Sequence, residues 1–137
     1  MPNLAQILIS DQTHTLTNND VETYTSEKIK GDGYYGRSDG LHTVVWQLTD
    51  FVGTITIQAA LTLDPTNNDW VTIRLGSGNS GSVDTTGLVS SASVSSLTYN
   101  SATTTTAAYN FTGNFVWIRA TITNWTAGSV NSVKVNL

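Results

Sequence analysis

At 137 residues, with a formal net charge of -4, no cysteine and only 12% charged residues, the chain has the size of one domain and lacks the charge density of a disordered polymer. Six Lys and Arg residues, scattered from Lys28 to Lys134 against ten Asp and Glu, offer no cationic face for a phosphate backbone, so nucleic acid is not an expected partner. The missing cysteines exclude disulfide scaffolds, thiolate metal sites and thiol nucleophiles.

The N-terminal stretch carries no basic residue before Lys28, and its apolar run is only Ile7-Leu8-Ile9. It reads as neither a secretory leader nor a membrane span, which leads us to expect a soluble protein made in the cytosol of its producer. Turn signals follow at Asn18-Asn19-Asp20, Gly31-Asp32-Gly33 and Ser38-Asp39-Gly40. Leu41 to Thr49 then reads as a strand with Val44, Trp46 and Leu48 on one side. Gly53 to Leu63 is the clearest strand: Ile55, Ile57, Ala59, Leu61 and Leu63 fall on one face and Thr54, Thr56, Gln58 and Thr62 on the other. Asp64 to Asp69 is a turn, Val71, Ile73 and Leu75 alternate with Thr72 and Arg74, and Gly76 to Gly81 is another turn. Ser82 to Ala108 is a Ser/Thr/Ala stretch with few residues to bury, expected to supply edge strands or long loops. Val116, Ile118, Ala120 and Ile122 form one face of the next strand, Ala127-Gly128 a turn, and Val133, Val135 and Leu137 the last alternating run.

Many short strands punctuated in this way predict an all-β protein, one domain spanning residues 1–137. The expected architecture is a single antiparallel jelly-roll-type β-sandwich. Its inward faces are assigned to Val44, Trp46, Leu48, Ile55, Ile57, Leu61, Val71, Ile73, Val116, Ile118, Ile122, Val133 and Val135.

Catalytic constellations are lacking. The two histidines, His14 and His42, lie in a Thr-rich stretch and at a strand end, and a zinc site would need further ligands at metal spacing. No GxSxG elbow, P-loop or HExxH occurs. A carboxylate pair for glycoside hydrolysis would have to come from Asp32, Asp39, Asp50, Asp64 and Asp69, each of which sits where turn chemistry favours Asp. The Asp64 to Asp69 loop has oxygen ligands suited to a hard cation, but the same residues make an ordinary turn. No cofactor, metal or catalytic residue is assigned, and an enzyme is not expected.

Contact candidates are easier to name. Phe115 and Trp117 share the face opposite Val116 and Ile118, so the strand looks apolar on both sides and needs a cover, either a long loop or another chain. Tyr34, Tyr35 and Arg37 lie in the glycine-rich segment Gly31 to Gly40, and Trp125 in the turn Thr123 to Gly128. These residue types anchor protein interfaces, pack on their own domain, or hold sugars.

Two stretches carry a resemblance: Val45 to Trp70, with an aromatic before Gly, an alternating strand, a small polar turn and Asp-Trp, and Tyr109 to Ile122, with Phe-Thr-Gly-Asn-Phe-Val-Trp-Ile-Arg-Ala. Together they resemble small β-sandwich accessory proteins of tailed bacteriophages, especially those infecting marine cyanobacteria. The resemblance implies a non-enzymatic structural component of the virion, made in the host cytoplasm. It would bind other virion proteins at a head-decoration, neck or tail position, as a homo-oligomer without membrane contact. The other reading is a carbohydrate-binding module used in host attachment, with glycan held by Tyr34, Tyr35 and Trp125.

Overall fold

The computed structural model describes residues 5–36, 40–77 and 95–136. They form eight strands and no α-helix: β1 (Ala5–Thr13), β2 (Glu22–Thr25), β3 (Ile29–Lys30), β4 (Leu41–Ala60), β5 (Val71–Thr72), β6 (Gly76–Ser77), β7 (Leu97–Thr112) and β8 (Trp117–Asn136). The protein is all-β, and every pairing is antiparallel.

The sheet is built from long lines. β8 and β4 pair side by side from Thr43↔Asn136 to Ala60↔Trp117. Along the outer side of β8 run β1, β2 and β3, end to end. Along the far side of β4 run β7 and, past its end, β5; β6 adds two residues beyond β7.

Strict alternation along a 20-residue strand would keep one parity inside, but β4 changes parity midway. His42, Val44, Trp46 and Leu48 are buried, then Phe51, Gly53, Ile55, Ile57 and Ala59. The switch falls at Asp50, whose φ of 50° and register break make a β-bulge. β8 changes in the same place. Ile118, Ala120 and Ile122 are buried before the positive-φ residues Asn124 and Gly128, and Val133 and Val135 after them. Asp11 in β1 is also at positive φ but keeps the β1–β8 register, and the bulge of β1 lies between Ile7 and Ile9.

These bulges fold the sheet into two arms that close on one core, and the parity change keeps the same side of each strand facing inward. A flat single sheet leaves its apolar side wet, whereas Trp46, Phe51, Ile55, Ile57, Ile118 and Ile122 are all 0% exposed. Trp46 lies before the bend, yet its Nε1 donates to Tyr99 Oη at 3.0 Å, and Tyr99 pairs with Gly53 beyond the bend.

Several expectations are corrected. Leu61 and Leu63 are 70% and 61% exposed rather than inward, because the β4–β8 ladder ends at Ala60↔Trp117 and the next residues of the chain lie past it. Val71 is 54% exposed on the two-residue margin strand β5. Val116 is half-buried just before β8 begins. Trp125, expected to be a contact aromatic, is 1% exposed: the β8 bulge turns it inward against Phe51, and its Nε1 donates to the Ala127 carbonyl at 3.1 Å. Of the Ser82 to Ala108 stretch, residues 82–94 lie outside the described residues, and Leu97 to Ala108 belong to the long strand β7. β1 is an element that the alternation rule misses, since the bulge between Ile7 and Ile9 lets Leu8 and Ile9 be buried consecutively.

Tyr109 stacks on Trp46 with ring centroids 5.0 Å apart. Burial, with Tyr99 close by, pushes its phenol up to about 12. The folded state therefore holds this proton more tightly than the unfolded chain, where a tyrosine titrates near pH 10. The resulting stability is complete below about pH 10 and is lost as pH rises toward the folded value. Phenolate absorbance read beside urea midpoints is expected to show late ionisation of Tyr109 and a falling midpoint over that window; Tyr109→Phe should flatten part of the fall.

Candidate functional site

The glycine-rich segment is pinned by its backbone. Gly31 N donates to Val116 O at 2.8 Å and Gly33 N to Phe115 O at 2.9 Å. A Cβ at either glycine would lie 2.3 Å from a carbonyl oxygen of Phe115 or Asn114, so only glycine allows this approach. Three successive turn bonds, Tyr34 N to Gly31 O, Tyr35 N to Asp32 O and Gly36 N to Gly33 O, then coil the chain into a tight bracket. At its other end Gly40 N donates to Asp32 Oδ2 at 3.2 Å, and Gly113 N to Gly40 O at 2.9 Å.

Asp32 and His42 are buried under this bracket, 3% and 1% exposed. His42 Nε2 donates to Gly113 O at 3.0 Å and lies 4.0 Å from Asp32 Oδ2, while its ring packs on Phe111. Asp32 Oδ1 and His42 Nδ1 have no hydrogen-bond partner among the described residues. The strand-end position expected for His42 is correct; its burial was not legible, because it depends on the distant Gly113.

The bracket holds its two tyrosines against the outer side of β8. Tyr34 lies 5.3 Å from the Trp117 ring, and Tyr35 meets Tyr34 edge-on at 5.5 Å. Lys30 Nζ sits 4.5 Å from the Tyr34 centroid and Lys28 Nζ 4.7 Å from that of Trp117. Trp117 Nε1 donates to Leu63 O at 2.7 Å, which ties in the exposed loop after β4. Two residues along β8, Arg119 covers Trp70 at 4.1 Å, and its Nε donates to Gln58 Oε1 at 2.8 Å across the β4–β8 pair. Burial pulls the Arg119 guanidinium below its ordinary value. Such cation–ring contacts are worth about 0.5–1 kcal/mol each at exposed sites.

The outer side of this strand therefore has a cover from its own chain, incomplete over Trp117, which stays half-buried, and over Tyr34 and Tyr35, 39% and 53% exposed. Phe115 does not share that face: it precedes β8 and packs against the core, its ring filling the space a Gly113 side chain would need. Trp125 is in the core, and Arg37 lies outside the described residues. Lys28, Lys30, Trp70 and Arg119 join the face without having been singled out, since their proximity is made by pairing of distant strands. The basic residues scattered in sequence are thus partly gathered in space.

Asp69 Oδ2 accepts from both Thr66 N, at 2.7 Å, and Thr66 Oγ1, at 3.0 Å, closing the turn around the 3-10 segment Asn67–Asp69. Among the described residues no group of three or more His, Asp or Glu side chains is arranged to hold a metal ion. Comparison with protein-family models, with curated proteins and with solved structures finds no match to this chain.

Proposed function

We propose that the chain is a non-enzymatic structural component of a tailed-phage virion, made in the host cytoplasm, that binds other virion proteins at a head, neck or tail position. It does so as a homo-oligomer, and its contact surface is the face around Trp117. The observation that carries this reading is the grouping there of exposed Tyr34, Tyr35 and Leu63 with half-buried Trp117 and Trp70, which is the residue mixture of a protein interface. The virion setting rests on the resemblance of Val45 to Trp70 and Tyr109 to Ile122 described above. Support for a jelly-roll-type sandwich comes from the long antiparallel strands that cross both arms of a folded sheet. Support for a non-catalytic role comes from Asp32 and His42, which face each other but are buried.

A carbohydrate-binding module acting in host attachment is the second reading, favoured by the more than half-exposed ring of Tyr35. Both are tested with Tyr35→Ala, which removes exposed surface and is expected to leave the unfolding midpoint within about 0.5 kcal/mol of the parent. Binding to purified virus particles lacking the protein is expected to weaken by at least about tenfold. Unchanged particle binding, or saturable binding of the parent to a glycan array with none to particles, overturns the first reading.

A further inference from the structure

Three of the chain's six Lys and Arg residues, Lys28, Lys30 and Arg119, meet on the Trp117 face of a protein whose net charge is -4. Among the described residues none of them forms an ion pair with a carboxylate, although ten Asp and Glu are present in the chain and Glu27 directly precedes Lys28. Each instead lies over an aromatic ring. Lys28 and Lys30 are exposed, so their ammonium groups are presented outward with their hydrogen-bonding capacity unspent on protein acids. From this we infer that the face docks a carboxylate-rich polypeptide surface on a different partner.

Two alternatives fit less well. A twofold contact of this face with itself would bring the same cations of two copies together, a like-charge arrangement that opposes association, so a homo-oligomer would use another surface. A sugar stacking on an aromatic platform needs an open ring face. Here a cation already covers one face of Trp117, Tyr34 and Trp70, and Tyr34 leans on Trp117 as well. Ammonium groups held over rings are suited to carboxylates that arrive from above, with rings and exposed Leu63 supplying apolar contact beside them.

The inference rests on reading this face as a protein contact, and the test separates the two. The full chain is titrated with poly-L-glutamate and, separately, with polygalacturonate of matched charge. The net charge of the chain repels both polymers, so attachment reports a local cationic face rather than bulk attraction. Poly-L-glutamate is expected to bind more tightly than polygalacturonate and to weaken steeply between about 20 and about 200 mM salt. It should lose about tenfold or more in affinity in the Lys28→Gln/Lys30→Gln variant, whose exposed side chains leave the fold intact. Failure of poly-L-glutamate to bind at low salt, binding indifferent to the double substitution, or tighter binding of polygalacturonate each overturns the inference. If any of these occurs while Tyr35→Ala still abolishes particle binding, the contact face stands and only its carboxylate partner is wrong; if Tyr35→Ala has no effect on particles, the reading of the face has failed.

Discussion

Gly128→Ala is expected to cost about 3 kcal/mol or more, a large share of the roughly 5–15 kcal/mol that holds an ordinary domain together. Gly128 sits in the bend at φ 84°, where a side chain is strained by about 1–2 kcal/mol. A Cβ there would also lie 2.1 Å from Asp50 O and 2.6 Å from Phe51 Cα, backbone atoms that no rotamer change can move away. The bulges of β4 and β8 would have to separate, and with them the hinge on which the two arms close. Gly36→Ala is the matched control: its φ is also positive, at 71°, but none of the described residues comes within 4 Å of the new carbon. Only the conformational strain of about 1–2 kcal/mol should appear. Urea unfolding of the two variants measures the contrast. Equal losses would show that the close approach of β8 to Asp50 does not hold the bend.

The second large effect separates two tryptophans that look alike in sequence. Trp125→Ala empties a site 1% exposed, beside Phe51 and His14, and is expected to destabilise the chain by about 3–5 kcal/mol. Trp117→Ala removes a half-buried ring from the outer side of β8 and its hydrogen bond to Leu63 O, with an expected loss of about 1–2 kcal/mol. Chemical denaturation of both variants checks the order. A Trp117 loss as large as that of Trp125 would make the outer face part of the core and remove its claim to be a contact surface.

What the sequence made legible was local alternation. Ile55 and Ile57, Val44 and Trp46, and Val133 and Val135 all face inward as their period of two requires. Where the alternation breaks, the reading fails. Phe51 falls on the wrong parity for its neighbours until the bulge at Asp50 is known, and Trp125 looks like a turn residue because Asn124 and Gly128 carry turn chemistry inside what is one continuous strand. Leu61 continues a perfect pattern past the point where its partner strand begins, so periodicity had no means of stopping at Ala60. For the contact face, Trp117, Tyr34 and Tyr35 were legible as residue types that anchor interfaces. Lys28 and Lys30 join Trp117 and Tyr34 only because β3 pairs with the start of β8, and Arg119 reaches Trp70 only because that residue directly precedes β5, beside β4. No linear motif encodes those meetings.

Partner binding at the face around Trp117 is read out by hydroxyl-radical footprinting with mass-spectrometric detection. The free chain and the chain assembled on virus particles are oxidised side by side. Tyr34, Tyr35 and Trp117 should be reactive when free, in keeping with their exposure, and strongly protected when assembled, while buried Trp46 and Trp125 stay unreactive in both. Undiminished reactivity of Tyr34 and Tyr35 on the particle, with protection elsewhere, would show that the partner binds another surface.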